Sequence, residues 1–425
     1  MRSESICQYI DANRDAIVHT LQELVRTKTT NPYCGDKDPG GEAAGQEVLR
    51  EMVESFADGI DLFDCPDDIY RRMEVLGPRE RDFAGRPNLV ATFSFGDGPT
   101  VVVNGHMDTV GIDNMDIDPL AATVSDGRVW GRGASDCKGG LTAAVWAIRA
   151  LREAGGELAG RVILESVVDE ECNGSGAGTL ACIDRGYSGD VAVFVDGHDG
   201  AVTRGCYGCL TAQVIVEGQE GHAAYGTGVS AIEKGLIVKA GIDQFKAKRE
   251  EKYPDARVNL GVFRAGTHPA VVPGEALMQL NIVYRLEDAR ASLAAGHAWG
   301  AAVLREEFEG AITGAASGDE WLREHPPIVE WVKDLVPFEE QPDNPWLARL
   351  RDSYVAVVGQ APRVDVMLGW TDAAYYSALA KVPTFLIGPA AQGKAHSTDE
   401  YVEIEALLRA TKTLSLFLAD VLSQR

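Results

Sequence analysis

Four short runs of this chain are strongly apolar and rich in β-branched residues, as strands buried in a parallel sheet are. They span residues 100–104, 162–168, 191–195 and 383–387. Each run is followed by side chains that bind metal ions well, namely His106, the pair Glu170 and Glu171, Asp196, and, after a Gly-rich loop, His396. In open α/β sheets, ligands collect outside the carboxyl ends of the strands. The pattern therefore predicts an α/β fold that brings these side chains to one edge of a sheet.

The composition is that of a soluble globular protein with room for two hydrophobic cores. The chain has 425 residues, of which 45% are hydrophobic and 24% charged, and one core rarely serves more than about 250–300 residues. No apolar run approaches the length of a bilayer-spanning helix, and the N-terminus has no apolar signal core. Eight scattered cysteines suit a reducing compartment. We expect a cytoplasmic protein with no membrane segment.

The net charge of −24 excludes nucleic-acid binding as a function. Neutralising phosphates requires a basic surface, and no cluster of lysines and arginines offers one. We therefore expect no nucleic-acid partner. A small anionic substrate would need a locally positive pocket, which metal ions and a few arginines could make against the prevailing field.

The pattern of apolar and polar residues changes near Arg204, which indicates a second folding unit. Residues 211–217 alternate apolar and polar side chains, as a half-exposed strand does. The segments that follow have the patterns of a helix, two strands, a helix and a strand: 229–245, 258–263, 276–284, a long stretch ending near 309, and 328–336. This order is a split βαβ unit. The sequence predicts a smaller domain over residues 204–339, inserted into a larger one formed by residues 1–203 and 340–425.

A Gly-rich turn carries one more candidate ligand. Residues 131–138 read Gly-Arg-Gly-Ala-Ser-Asp-Cys-Lys, so Asp136 lies just before residues 139–153, whose apolar side chains have helical spacing. The glycines let the backbone approach the site closely. Helical spacing also predicts helices over residues 9–25 and 42–56.

Each candidate ligand alone has an ordinary structural explanation, such as a hydrogen-bonded core histidine, a helix N-cap or a turn former. Their combination is more specific. Five ligand-type side chains at strand ends, with extra carboxylates beside two of them, are the groups that turn bound water into a nucleophile at neutral pH. The residues themselves thus predict a metal-dependent hydrolase.

Nearly the whole chain resembles the M20 metallopeptidases, the group of acetylornithine deacetylase, succinyl-diaminopimelate desuccinylase and carboxypeptidase G2. The matching motifs are residues 105–110, 131–140, 169–171, 369–373 and 395–397. The resemblance implies a zinc-exopeptidase-like catalytic domain, with a mixed central sheet flanked by helices. It also implies that the inserted domain is a ferredoxin-like α+β lid and dimerisation domain, and hence a homodimer or higher homo-oligomer.

The same resemblance implies a ligand set for two divalent metal ions in each subunit. Asp136 would bridge the two ions, with His106 and Asp196 completing one site and Glu171 and His396 the other. Zinc is the expected ion, and cobalt or manganese could serve because oxygen and imidazole ligands discriminate little by affinity alone.

Four further roles come from the resemblance. Asp108 would hydrogen-bond the free ring nitrogen of His106, and Glu170 would act as the general base that later protonates the leaving nitrogen. His222 would reach into the partner subunit's site and stabilise the tetrahedral oxyanion. Arg285 would pair with a substrate carboxylate. A turn aspartate, a surface histidine and an exposed strand-end arginine are the ordinary alternatives for Asp108, His222 and Arg285.

The chain departs from the family pattern around the expected substrate site. It has Gly226 and Ser230 where proline and asparagine are usual, and Ala270 where a substrate-binding asparagine precedes a Val-Val-Pro-like segment. Trp370 stands where a glycine is common, before the substrate-binding candidate Thr371. Loss of an amide donor and gain of an indole favour a flatter, more aromatic substrate, although Trp370 could equally pack under its loop.

We thus expect a hydrolase of a carbon–nitrogen bond in a small, carboxylate-bearing N-acyl amino acid or dipeptide-like molecule. One alternative is an aminohydrolase that displaces an amine from an activated aromatic acid with release of ammonia, as nitroanthranilate-type enzymes of this group do. Another is a non-catalytic binding relative that has kept the fold.

Overall fold

The computed structural model describes residues 2–172 and 174–423. The helices are α1 (Arg2–Ala12), α2 (Arg14–Arg26), α3 (Ala43–Val53), α4 (Ile69–Arg72), α5 (Lys138–Ala154), α6 (Ala177–Asp184), α7 (Ala231–Lys252), α8 (Leu286–Ala294), α9 (Ala302–Ala316), α10 (Glu320–Glu324), α11 (Pro345–Val358), α12 (Ala373–Ala378) and α13 (Ile404–Val421). Within these ranges no helix is both long and apolar enough to cross a membrane.

The strands alternate with these helices along the chain. They are β1 (Gly59–Asp64), β2 (Pro87–Gly96), β3 (Thr100–His106), β4 (Thr123–Ser125), β5 (Arg128–Trp130), β6 (Gly160–Val167), β7 (Val191–Phe194), β8 (Ala201–Cys206), β9 (Gly208–Glu217), β10 (Gly221–His222), β11 (Val258–Ala265), β12 (Val271–Val272), β13 (Glu275–Tyr284), β14 (Ile328–Leu335), β15 (Phe338–Glu339), β16 (Arg363–Met367), β17 (Thr384–Leu386) and β18 (Tyr401–Glu403).

The large sheet has the strand order β1-β2-β6-β3-β7-β17-β8-β15, with β16 also paired to β8. Its centre, β6, β3, β7 and β17, is parallel, and antiparallel strands flank it. The four apolar runs are therefore neighbours in one parallel sheet, as the sequence predicts. Their carboxyl ends share one edge, so the segments that follow them start close together.

Successive side chains of the parallel strands point to opposite faces, and each face has its own core. Val101 and Val103 of β3 belong to the cluster under α1, α2, α5 and α13, whereas Val102 belongs to the cluster under α6 and α12. All three valines are fully buried. The predicted mixed α/β architecture, with helices on both faces of the sheet, is confirmed.

The small sheet has the order β11-β13-β9-β14 and is antiparallel throughout. Helices α7 and α9 pack beside each other against it, and Phe308 of α9 contacts Phe245 of α7 and Trp331 of β14 edge-on. This strand order with this connectivity is the predicted ferredoxin-like arrangement. The chain leaves the large sheet after β8 and returns to it at β15, and these two strands pair with each other in the large sheet. The domain limits at residues 203/204 and 339/340 stay a prediction.

Two predicted helices are interrupted in the structure. The segment over residues 9–25 is divided between α1 and α2 at Asn13, whose side-chain amide donates to the Tyr9 carbonyl at 2.8 Å, a local bond that competes with the helix. The stretch ending near residue 309 is divided between α8 and α9. Gly296 and Gly300 adopt positive φ between these helices, which glycine tolerates best.

A carboxyl group is buried in the middle of the large sheet. Glu165 of β6 accepts hydrogen bonds from the Tyr376 hydroxyl at 2.6 Å and from the Asn104 amide at 2.8 Å, and it has no solvent exposure. Burial raises the pKa of Glu165 to about 7, against which these two hydrogen bonds act. The folded protein thus holds a proton on Glu165 at a pH where the unfolded chain has lost it.

Replacement of Glu165 by Gln should make the stability of the protein less dependent on pH. The folded-state pKa of about 7 lies above the ordinary 4.5, so wild-type stability is lost as pH rises through this window. The difference in unfolding free energy between Glu165→Gln and wild type should therefore change by about 3 kcal/mol in favour of the variant as pH rises through this window. Urea denaturation at pH 4.5 and pH 7.5 measures this, and parallel pH profiles for the two proteins would contradict it.

Candidate metal centre

The carboxyl edge of the parallel strands gathers all five predicted metal ligands. His106 ends β3, Glu171 follows β6, Asp196 follows β7, and His396 lies in the loop between β17 and β18. Asp136 occupies the turn before α5. The donor atoms form two neighbouring groups, His106 with Asp196 and Asp136 with Glu171 and His396, and within each group they lie within 4.8 Å of one another.

Asp136 lies between the two groups. Its Oδ1 is 2.9 Å from His106 Nε2, and its Oδ2 is 3.2 Å from His396 Nε2. The same His396 nitrogen lies 3.0 Å from Glu171 Oε1. One carboxylate that turns each oxygen toward a different histidine has the geometry of a ligand shared by two cations.

The tautomer of His106 suits a ligand. Its Nδ1 lies 2.9 Å from the Asp108 backbone carbonyl, which can only accept, so Nδ1 carries the proton. Nε2 therefore donates to Asp136 when the ring is protonated, and it is the ring nitrogen that can bind a metal ion once that proton is lost. A hydrogen bond from the second ring nitrogen fixes the orientation of most metal-binding histidines.

The site concentrates negative charge. Burial and the neighbouring Asp136 raise the pKa of Asp196 well above its ordinary range, and the same two causes raise that of Glu171 to about 7. Hydrogen bonds to Asp136 and Glu171 raise the pKa of His396 to about 11. A cation that binds among carboxylates relieves their mutual repulsion. The cluster therefore favours the binding of divalent ions.

Glu170 lies beside the ligands. Burial raises the pKa of its carboxyl well above the ordinary range; His106 lowers that pKa in part, and Glu171 raises it further. A raised pKa makes a carboxylate a stronger base than an ordinary glutamate, which is the property that a general base needs.

Asp108 acts differently from the expectation. Its carboxylate accepts from the backbone N–H groups of Glu171 at 3.0 Å and Glu170 at 3.4 Å, and from the Asn31 amide at 2.8 Å. The carboxylate is 3.7 Å from His106 Nδ1, which bonds the Asp108 carbonyl instead. These three donors hold the carboxylate on the loop after β6. Asp108 thus positions Glu170 and Glu171 with its side chain and His106 with its backbone.

Several groups that hold this edge together were not found from the sequence. Asp169, which adopts a positive φ, accepts from Arg81 at 3.3 Å and from Arg86 at 3.2 Å. Arg86 also forms a buried two-pronged ion pair with Glu42. These partners lie 44 to 88 residues apart along the chain, so no local pattern reveals them.

Glu400 was missed as well. Its carboxylate accepts from the backbone N–H groups of Ser135 at 2.9 Å and Asp136 at 3.1 Å, and it pairs with Arg132. It therefore fixes the turn that carries Asp136. Its position four residues after His396 was the available signal.

Cys137 and Asp372 also lie at the site. The sulfur of Cys137 lies within 4.8 Å of donor atoms of both His106 and Asp196, and its position directly after Asp136 was the available signal. The Asp372 carboxylate accepts from the Thr179 hydroxyl at 2.5 Å, and burial raises its pKa to about 6.

His222 and Arg285 are not joined to the ligand cluster by any hydrogen bond or ion pair among residues 2–172 and 174–423. His222 is exposed on the small unit, where its ring lies 4.8 Å from that of Tyr225. Arg285 forms ion pairs with Asp255 at 3.5 Å and Glu287 at 3.3 Å. Their roles in binding or catalysis stay predictions.

Trp370 packs under its loop. Its indole N–H donates to the Val336 carbonyl at 3.1 Å, and its ring contacts Tyr375 edge-on. Thr371 is fully buried, and its hydroxyl accepts from the Ala373 N–H at 3.4 Å. The structure thus favours the packing alternative for Trp370.

Comparison with known proteins shows which family the chain is similar to. The sequence profile of peptidase family M20/M25/M40 matches residues 102–420. N-formyl-4-amino-5-aminomethyl-2-methylpyrimidine deformylase of Halalkalibacterium halodurans is 28% identical over 98% of this chain and 97% of its own length. The enzyme of the same name from Bacillus subtilis is 30% identical over 81% and 85%. Succinyl-diaminopimelate desuccinylase of Gluconacetobacter diazotrophicus is 29% identical over 93% and 94%.

Solved structures agree on the fold. A tripeptidase from Staphylococcus aureus superposes with a TM-score of 0.71 at 20% identity, covering 96% of this chain and 99% of its own. The dipeptidase Dug1p of Saccharomyces cerevisiae gives 0.72 at 16% identity, covering 99% and 98%. The chain therefore belongs to peptidase family M20/M25/M40, and it is a hydrolase of carbon–nitrogen bonds.

Proposed function

We propose that this enzyme hydrolyses the amide of a small N-acylated amine with two divalent metal ions and Glu170 as the proton carrier. One observation carries the proposal. Three acidic ligand candidates, Asp136, Glu171 and Asp196, meet two histidines beside Glu170 at the carboxyl edge of the sheet. Coupled acids of this kind in one place are typical of an active site.

The residues present fit two cations. His106, Asp196 and Asp136 would hold one ion, and Asp136, Glu171 and His396 the other, all with the nitrogen and oxygen donors that zinc accepts. When bound, the ions would polarise the amide carbonyl and make water more acidic. Zinc is our first choice, and cobalt or manganese fit the same donors.

Glu170 is the proposed proton carrier. Its raised pKa fits it to take the proton of the attacking water and return it to the leaving nitrogen. Asp108 keeps Glu170 in place through the backbone N–H of that residue. Glu170 would therefore act in both halves of the reaction without being a metal ligand.

Replacement of Glu170 by Gln should lower kcat by about 10²- to 10⁴-fold, because the amide cannot accept the proton. Bound metal and thermal stability should stay close to wild type. Steady-state kinetics with metal analysis checks this. The control is Glu165→Gln, a buried carboxyl on the strand preceding the same loop, which should keep turnover. Full turnover by Glu170→Gln would overturn the mechanism.

The substrate class that we favour is a short acyl amide, such as a formamide, of a planar heteroaromatic amine. The support is the similarity to two enzymes named as deformylases of an aminopyrimidine, one of them over nearly the whole chain. Ala270, which replaces an amide donor, is compatible with a less polar substrate. Trp370 gives no further support, because its indole packs within the protein.

A second candidate is an N-succinyl or similar N-acyl amino acid. The similarity to succinyl-diaminopimelate desuccinylase favours it. Such a substrate brings carboxylates that need cationic partners. Arg285, the predicted partner, pairs with Asp255 and Glu287, which is why we rank this class second.

Zinc-loaded enzyme should release formate from N-formyl aminomethylpyrimidines with a higher kcat/KM than it releases succinate from N-succinyl amino acids. The measurement follows formate, succinate and ammonia separately across matched substrates, with Glu170→Gln as the blank. Preferential release of succinate would establish the second class. If the enzyme releases ammonia from an amino-aromatic acid and releases no acyl group, its reaction is ring-amine displacement and not amide hydrolysis.

The enzyme is further proposed to be a homodimer joined through the small unit. Strand β11 lies at the edge of its sheet, and the apolar side chains of Phe263 on β11 and of Ile232 and Leu236 on α7 are 37–53% exposed. Exposed apolar side chains at the edge of a sheet favour pairing with a second copy of the chain. The exposed position of His222 suits a residue that completes the partner subunit's site.

Mixed dimers test this arrangement. Glu170→Gln and His222→Ala should each be inactive alone. A mixed dimer regains one complete site, because the His222→Ala subunit keeps Glu170 and receives the partner's intact histidine. Denaturing and refolding a 1:1 mixture should therefore restore about a quarter of wild-type activity. Absence of recovery in a mixture shown to contain mixed dimers would refute the exchange.

We also propose that the enzyme acts in the cytoplasm. Its eight cysteines are all present as free thiols, as expected for a protein of a reducing compartment. Several of them, including Cys65, Cys182 and Cys206, are packed inside the cores.

A further inference from the structure

Cys137 places a sulfur atom against one of the two ligand groups. Its Sγ, one ring nitrogen of His106 and one carboxylate oxygen of Asp196 all lie within 4.8 Å of one another. Donors that share a tetrahedral zinc ion at its usual bond lengths are roughly 3.5 Å apart. A movement of about 1 Å would therefore allow the three atoms to bind one ion.

The local structure holds the sulfur in this place. Cys137 is the N-cap residue of α5, yet its side chain accepts no hydrogen bond from the first turn of the helix. The side chain is completely buried, and its sulfur would lie 3.2 Å from a Cβ built on Gly105. A larger residue at position 105 would thus contact the sulfur. That Cβ would also lie 2.7 Å from Val195 and 3.0 Å from Leu141, so Gly105 leaves room for these side chains together with the sulfur.

Burial raises the pKa of the Cys137 thiol to about 12, so only a cation bound beside the sulfur would stabilise the thiolate. Lys138, the first residue of the helix, directs its ammonium to the Thr27 carbonyl at 2.8 Å rather than to the sulfur. A cation bound between His106 and Asp196 would then be the partner of the thiolate.

We propose that Cys137 is a metal ligand at the position formed by His106, Asp196 and Asp136, and that this position selects thiophilic ions. The inference rests on the proposed two-metal function. On binding, the S–H bond breaks, a sulfur–metal bond forms and the proton passes to solvent. Thiolate donors favour zinc over manganese or magnesium. The other position, formed by Asp136, Glu171 and His396, has only oxygen and nitrogen donors. The two positions therefore differ in metal preference.

X-ray absorption spectroscopy of the zinc-loaded enzyme tests the proposal directly. Zinc-bound sulfur gives a scattering shell at about 2.3 Å, whereas nitrogen and oxygen ligands give one at about 2.0–2.2 Å. Wild type with two zinc ions should show about one sulfur for every two zinc ions. Cys137→Ser and Cys137→Ala should lose this shell. They should bind zinc at one position at least about tenfold more weakly, with a smaller effect on manganese.

Cys172→Ser is the matched control, because Cys172 also directly follows a proposed ligand, Glu171, but contacts the thiol of Cys34. The sulfur shell should persist in this variant. A wild-type spectrum with only nitrogen and oxygen shells, or a shell that survives both Cys137 variants, would overturn the assignment and leave Cys137 as a core residue. Failure of wild type to bind zinc at all would instead refute the two-metal function on which the inference rests.

Discussion

The crowding of acidic groups at one edge of the large sheet is the constraint on which the rest of the site depends. Asp136, Glu170, Glu171 and Asp196 arrive on three separate chain segments. Burial, and then repulsion by neighbouring carboxylates, raises the pKa of Glu170, Glu171 and Asp196. Carboxylates in such surroundings are costly unless cations neutralise them. The parallel topology brings them together, and divalent ions are the simplest means of making the arrangement stable.

The neighbouring loops are held by backbone hydrogen bonds to carboxylates. Asp108 binds the backbone of Glu170 and Glu171, and Glu400 binds the backbone of Ser135 and Asp136. Each of these carboxylates fixes a loop that carries candidate ligands. Rigid support of this kind keeps ligands near their binding geometry before any ion or substrate arrives. The acidic character of the site thus extends from the ligands to the groups that position them.

Local sequence pattern was sufficient wherever periodicity decides structure. The four apolar runs are neighbouring parallel strands, and the strand and helix order after residue 204 forms the ferredoxin-like sheet. The converging ligands follow from that topology. Pattern could not reveal what depends on contacts distant in sequence, such as the Arg86–Glu42 pair behind Asp169. Nor could it show that a single side-chain bond at Asn13 interrupts a helix, or that the Asp108 carbonyl rather than its carboxylate orients His106.

The most direct test of this account is calorimetry of the metal-free protein as zinc is added. Ions that bind only the folded state stabilise it by about 4 kcal/mol at a free concentration about 1,000 times the dissociation constant. The account predicts a melting temperature that rises steeply over the first two equivalents of zinc and only slowly with further zinc. The rise should be much smaller in Asp136→Asn, which lacks the shared carboxylate. A melting temperature that zinc, cobalt and manganese all leave unchanged would contradict it.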